Sequence, residues 1–226
     1  MEGDDYYWDT YTLCKYLPIP ESIVYDSQPM GRRAKKRPTI IFSPLGTLEC
    51  AKIYDHTSVA IHNFANPNKP CWGVVKGMSQ EEILFRQTNL GMTLMEEWYP
   101  ITNKVIVSRD VIVMKDFGDG NFPVRKDHFN VDVITSAAIN TPKLKKKRMN
   151  QKDHDHTEMI LRWTLAAASQ YDTFITGAWG CGLFNNPIPE MCEIWNTVLK
   201  DIEVPPTVIF AIPDNKLEQF KKYIEV

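Results

Sequence analysis

Thr173-Phe174-Ile175-Thr176-Gly177-Ala178-Trp179-Gly180-Cys181-Gly182-Leu183-Phe184-Asn185-Asn186-Pro187 is the stretch on which the fold turns. Its first residues are apolar or β-branched on both faces, as a strand buried inside a sheet is. Pro189–Lys200, just beyond it, carries a helical pattern. Between them lies a loop with glycine at positions 177, 180 and 182. Glycine permits positive φ and close backbone approach. Successive backbone N–H groups in such a loop form a nest for an anion, usually a phosphate. A tight strand-to-helix turn would need only one glycine; three of them, with an aromatic on each side, favour phosphate.

Working outward, short apolar runs alternate with helical patterns from Thr39 onward. The other expected strands are Thr39–Phe42, Thr57–Phe64, Lys104–Val107, Val111–Met114, Val131–Thr135 and Thr207–Ile212, and the first-quoted one runs Thr173–Gly177. The other expected helices are Gln80–Trp98, Thr157–Gln170 and Lys216–Tyr223. Strands follow one another between residues 104 and 135 and then alternate with helices. That order predicts an α/β fold, a mixed central sheet covered by helices on both faces. No G-x-G-x-x-G follows a strand, so a dinucleotide-binding winding is not indicated.

The chain's 226 residues suffice for one sizeable domain. A net charge of −2 gives no global reason to expect nucleic acid or a membrane as partner. The N-terminus is acidic and aromatic, without the features of a signal peptide. No apolar run reaches the roughly 18 residues of a membrane span. The five cysteines are odd in number and lack zinc or redox spacing, and are read as reduced thiols. The expectation is a cytoplasmic or nuclear protein that is not secreted. Residues 1–38 are read as an extension over, or loosely attached to, a domain spanning 39–226. Two basic clusters, Arg32–Arg37 and Lys143–Arg148, fit solvated loops, a nuclear import signal or a polyanion contact.

A second motif follows the strand Val59–Ile61. His62-Asn63-Phe64-Ala65-Asn66-Pro67 leads through Cys71-Trp72-Gly73 to Ser79-Gln80-Glu81-Glu82. Ligands in open α/β sheets sit at strand carboxyl ends, where an amide such as Asn66 can grip a hydroxyl. Glu81 and Glu82 open a helix. On spacing alone, Ser79 three residues before Glu82 is a capping box, and two acids suit the helix dipole.

The two motifs in this order resemble the macrodomain-type poly(ADP-ribose) glycohydrolases. That family carries a glycine triplet, then Gln-Glu-Glu six to eight residues on, then a diphosphate loop of the form Gly-Ala-Trp/Phe-Gly-Cys-Gly-x-Phe. Weaker matches at Gly46–Ala51, Val107–Asp110, Asp132–Thr135 and Val208–Pro213 extend the resemblance over about residues 40 to 215. It implies a macrodomain-like three-layer α/β/α sandwich and release of ADP-ribose by glycosidic hydrolysis. Glu82 would be the catalytic carboxylate and Glu81 the acid beside it that holds substrate hydroxyls. Asn66 would contact the terminal ribose, on which Phe184 would pack. Gly180, Cys181, Gly182 and Leu183 would cradle the diphosphate, and Leu48 and Glu49 would stand on the adenine side. Gly73 and Gln80 belong to the same substrate-binding set. The resemblance implies no cofactor and no metal, and poly(ADP-ribose) or ADP-ribosylated proteins as partners of a monomer. Lack of a large accessory region points to the compact microbial branch. A buried Glu82 beside Glu81 would have a raised pKa, as a general acid requires.

The chain departs from the family at Cys71-Trp72, which stand where two glycines are usual. That departure motivates an alternative, an ADP-ribose-binding reader with little or no hydrolase activity. Three other features have plainer readings. Lys152-Asp153-His154-Asp155-His156 precedes a helix that Asp155 or Thr157 could cap, which competes with a metal site. His62 is expected to be a hydrogen-bonded interior residue. Cys181 is expected to be a small loop residue and not a nucleophile.

Overall fold

Along the inner strands of this protein, successive side chains go to opposite faces of the sheet, and both faces are apolar. The computed structural model of the chain describes residues 10, 12–29, 37–70, 77–140 and 148–225. Strands β1 (Ser22–Tyr25), β2 (Thr39–Ser43), β3 (Val59–Phe64), β4 (Val105–Lys115), β5 (Val124–Ser136), β6 (Thr173–Thr176) and β7 (Thr207–Ala211) form one seven-stranded sheet. Its order is β1-β4-β5-β3-β6-β7-β2. From β5 through β2 neighbours run parallel, while β4 pairs antiparallel with both β5 and β1. The sheet is therefore mixed, as the order of the sequence patterns predicts.

Helices α1 (Thr47–Ile53), α2 (Gln80–Gln87), α3 (Gln151–Ala168), α4 (Ile188–Asp201) and α5 (Lys216–Tyr223) complete the layers. Ala60, Phe174, Val208 and Phe210 share one core with Leu161, Leu165, Trp195 and Phe220 of α3, α4 and α5. Ile61, Ile175, Ile209 and Ala211 share the opposite core with Leu48 and Ala51 of α1 and Leu84 and Phe85 of α2. The alternation along β3, β6 and β7 thus produces the three-layer sandwich.

Several boundaries differ from the sequence patterns for physical reasons. The expected helix Gln80–Trp98 ends at Gln87, and only short 3₁₀ turns follow, at Leu90–Met92 and Glu96–Trp98. Thr88 is extended, forms a bridge with Val113, and donates its hydroxyl to Leu84 O. Asn89 donates its N–H to Ile112 O and accepts from Ile112 N, so the chain leaves the helix to join β4. The two strands expected at 104–107 and 111–114 are one strand with a bulge. Asp110 takes a left-handed φ of 54° there, and its N–H donates to Asp132. The helix expected from Thr157 starts at Gln151, because the Asn150 side chain accepts from Asp153 N. Asp155 and Thr157 are therefore not its cap. β1 lies within the segment read as an extension and forms the edge of the sheet. α1 was not expected as a helix. The basic clusters, apart from Arg37 and Arg148, lie outside the described residues, as do Cys71, Trp72 and Gly73.

Phe210 marks the centre of the larger core. Its ring lies 5.6 Å from Phe42, 5.1 Å from Trp195 and 5.8 Å from Phe220. Phe210→Ala is expected to cost about 3–5 kcal/mol, and chemical denaturation measures it. A loss below about 1 kcal/mol would contradict this packing.

Candidate active site

The carboxyl ends of the parallel strands meet the N-termini of α1 and α2 around a cavity of about 800 Å³. That size suits a small-molecule ligand, whose pockets run to about 300–1,000 Å³. Its walls come from Gly46–Glu49, from Phe64–Asn66, from Met78–Leu84, from the loop after β6 and from the residues after β7.

Gln80 fixes the geometry of the α2 wall. Its Oε1 accepts from Phe64 N at 2.9 Å, and its Nε2 donates to His62 O at 2.7 Å. The side-chain amide thereby pairs with the end of β3 as a further peptide unit would. Gln80 lines the cavity, but its amide is engaged with β3, so it acts here as a positioning residue.

Glu81 is 2% exposed and points to the inner side of the helix. Its carboxylate accepts from Asn66 N at 3.1 Å and from Asn63 Nδ2 at 3.4 Å. Asn66 directs Oδ1 to Asn68 N, and its Nδ2 has no hydrogen-bond partner among the described residues.

Glu82 closes a capping box. Its Oε2 accepts from Ser79 N at 2.9 Å and from Ser79 Oγ at 2.7 Å, and its Oε1 accepts from Gly77 N at 3.1 Å. A Cβ at position 77 would lie 2.5 Å from that carboxylate, so glycine alone allows the approach. Burial works to raise the Glu82 pKa, but the Ser79 and Gly77 donors, with the Arg86 charge, outweigh it. The carboxyl is held below its ordinary value. This corrects the expectation of a raised pKa, which considered burial and Glu81 but not the donors of the cap.

The loop after β6 is a run of tight turns. Gly180 has φ of 75°, and a Cβ there would meet the Asn186 side chain at 2.5 Å. The N–H groups of Gly180, Gly182 and Leu183 donate to nothing among the described residues. A Cβ on Gly182 would meet nothing within 4 Å. No packing among the described residues requires glycine at 182, which lines the cavity. Cys181 turns inward, is 7% exposed and belongs to the core. Burial pushes its thiol up to about 12, far from thiolate chemistry at neutral pH. Its backbone N–H donates to Ala178 O at 3.0 Å, and Cys181 is not among the residues that line the cavity. Leu183 is 80% exposed, whereas Phe184 packs partly on the core and lines the cavity.

Leu48 and Glu49 stand on the α1 wall, where Glu49 accepts from Gly46 N at 2.6 Å. His62 is fully buried between Thr176 Oγ1 at 3.0 Å and Ser136 Oγ at 2.8 Å. Burial lowers its pKa to about 3, so it stays neutral. Lys152–His156 forms the first turns of α3, and no three potential ligands gather to hold a metal among the described residues.

Sequence reading did not pick out Met78, Phe117, Asp214 or Lys216, all of which line the cavity. The strand-end rule could have pointed to Asp214 and Lys216, which follow β7 and form an ion pair. Phe117 carried no such signal. The β4–β5 hairpin folds back over α2, where Gln87 donates to Lys115 O and Arg86 lies over the Phe122 ring.

A mixed sheet between helical layers, with a ligand-sized cavity at its parallel strand ends, defines the class as an α/β sandwich. Among solved structures, the fold is similar to poly(ADP-ribose) glycohydrolase from Thermomonospora curvata, with 21% identity and a TM-score of 0.75, covering 97% of this chain and 88% of that one. The same enzyme bound to the inhibitor ADP-HPD gives 22% identity and a TM-score of 0.74 over 96% and 88%. Poly(ADP-ribose) glycohydrolase from Deinococcus radiodurans in complex with ADP-ribose gives 22% and 0.73 over 84% and 86%. No family model and no curated protein matches the sequence. No helix among the described residues is long and apolar enough to cross a membrane.

Because the folded-state pKa of Glu82 is lowered, its ionised form stabilises the fold above the ordinary glutamate range. That contribution is lost as pH falls through the lowered value. Ser79→Ala removes one donor and the helix cap together. It is expected to cost about 1 kcal/mol and to move the Glu82 titration to higher pH, read by denaturation and carboxyl NMR. An unmoved titration would contradict the role given to the hydroxyl.

Proposed function

We propose that the chain hydrolyses ribose–ribose O-glycosidic bonds of poly(ADP-ribose) and releases ADP-ribose. The observation that carries this reading is one cavity lined both by the glycine loop, whose N–H groups at Gly180, Gly182 and Leu183 have no partner among the described residues, and by the Glu81–Glu82 pair. The diphosphate would lie on Gly180, Gly182 and Leu183, with the adenine toward Leu48 and Glu49. The terminal ribose would lie between Phe184 and Glu81, within reach of Asn66 Nδ2. The three similar structures named above are of poly(ADP-ribose) glycohydrolases, one in complex with ADP-ribose and one with ADP-HPD, which supports ADP-ribose as the ligand.

In this mechanism protonated Glu82 gives its proton to the leaving ribose oxygen as the C–O bond breaks. An oxocarbenium-like centre forms at the anomeric carbon. The Glu82 carboxylate then takes a proton from water, whose oxygen bonds to that carbon. The balance is one water consumed for one glycosidic bond broken. Glu81 holds ribose hydroxyls. In this structure the cap donors favour ionised Glu82. The negative diphosphate would oppose them and raise the pKa toward what an acid needs.

A second reading, an ADP-ribose reader without hydrolysis, is favoured by one observation: both Glu82 oxygens are engaged by Gly77 and Ser79. Incubation with auto-modified polymer, followed by assay of free ADP-ribose, separates the two readings. Wild type is expected to release ADP-ribose, and Glu82→Gln to lose turnover while still binding ADP-ribose by calorimetry. Retained turnover in Glu82→Gln would refute the assignment. Gly182→Val is expected to keep the wild-type melting temperature, because its site is open, and to weaken ADP-ribose binding at least about tenfold. Unchanged affinity would remove the diphosphate from that loop.

A further inference from the structure

Four acidic residues, Glu49, Glu81, Glu82 and Asp214, line the cavity. Among the described residues, Lys216 is the one cation that lines it with them. A diphosphate entering such a cavity meets like charge from several directions, which disfavours it. The N–H groups of the glycine loop offer only fixed partial charges. A full positive charge beside that loop would offset the repulsion.

The strand order puts Lys216 beside the loop. β6 and β7 are parallel neighbours, paired from Thr173 with Thr207 to Thr176 with Phe210. The chain therefore leaves both strands at the same end of the sheet. The two exits touch, since a Cβ on Gly177 would lie 2.6 Å from Ala211 O. From there Ile212-Pro213-Asp214-Asn215 leads to Lys216, the first residue of α5. After burial and the neighbouring Cys192, the charges of Lys216 and Asp214 act on the Cys181 thiol, in the middle of the glycine loop.

The helix itself gains nothing from a lysine at this position. A cation in the first turn opposes the helix dipole. The first turn is served instead by Asp214, whose Oδ1 accepts from Lys216 N at 2.9 Å. The Lys216 ammonium turns back to the other oxygen of the same carboxylate. The two side chains of that pair are 27% and 48% exposed. An ion pair so open to water is weak, and its cation is easily drawn to a second anion.

We infer that Lys216 is a binding residue for the diphosphate: its ammonium exchanges Asp214 for a phosphate oxygen of ADP-ribose lying on the glycine loop. Asp214 holds the ammonium at the cavity wall until the ligand arrives, and the flexible lysine stem makes the short transfer. Asp214, nearly half exposed, then returns to water. This rests on the ADP-ribose reading of the cavity given above, but not on hydrolysis.

The test is calorimetry with ADP-ribose on wild type, Lys216→Gln and Lys216→Arg, at about 0.1 M and about 1 M salt, between which the Debye length falls from about 10 Å to about 3 Å. At the lower salt the glutamine variant is expected to bind about tenfold more weakly than wild type. At the higher salt the gap should close to about threefold or less, because screening removes what the charge contributes. Arginine keeps the charge and should stay within about threefold of wild type at both. Melting temperatures should lie within a few degrees of one another, since the helix does not depend on the lysine. If the glutamine variant melts far lower, Asp214→Asn decides. Asparagine keeps the acceptor for Lys216 N, releases the ammonium, and should tighten binding about threefold at the lower salt; unchanged or weaker affinity there overturns the inference. A well-folded Lys216→Gln that binds within about twofold of wild type at the lower salt also overturns it. So does a loss that arginine fails to reverse, or one that is the same at both salts. A wild type that binds no ADP-ribose overturns instead the reading on which the inference rests.

Discussion

The amide of Gln80 ties the last turn of β3 to the first turn of α2. Much of the site depends on that junction. A strand end leaves an N–H and a C=O without a ladder partner, and buried backbone groups are nearly always paired. One glutamine side chain satisfies both. It sets the start of α2, and so it sets which way the next two residues point. Glu81 goes inward to Asn63 and Asn66. Glu82 goes to the cap, against Gly77 and Ser79. Two adjacent carboxylates therefore have different surroundings, which is how one pair can divide two roles.

The opposite wall complements them. Where α2 presents negative side chains, the loop after β6 presents N–H groups at Gly180, Gly182 and Leu183 that have no partner among the described residues. On the proposed function, a ligand with a diphosphate at one end and ribose hydroxyls at the other would match both walls. The sheet holds the walls apart at a fixed distance, because β3 and β6 are direct neighbours, paired from Val59 with Thr173 to Ile61 with Ile175. The buried His62, bridging Thr176 and Ser136, locks the same strand ends from within.

Much of this was legible in the sequence. The strand before Gly177, the glycine loop and the helix after it follow from local composition, since a buried strand and a nest loop have few alternative sequences. Helix α5 lies at Lys216–Tyr223, as its apolar spacing predicts. The capping box at Ser79 and Glu82 was legible too, yet its effect on Glu82 was not. A raised pKa follows from burial, but the sum depends on donors whose positions only the fold fixes. β1 escaped because an edge strand needs only one apolar face and Ser22–Tyr25 is short. The end of α2 at Gln87 escaped because the pull toward β4 is a tertiary contact of Thr88 and Asn89. Phe117 reached the cavity only because a long hairpin bends over α2, and the bulge at Asp110 looked in sequence like a break between two strands.

We propose that one ligand spans the glycine loop and the glutamate pair. A crystal structure with ADP-ribose tests it most directly. Diphosphate oxygens are expected to accept from the N–H groups of Gly182 and Leu183, with the terminal ribose against Phe184 and its hydroxyls on Glu81. ADP-ribose bound elsewhere, or lying in the cavity with its diphosphate away from this loop, would contradict it.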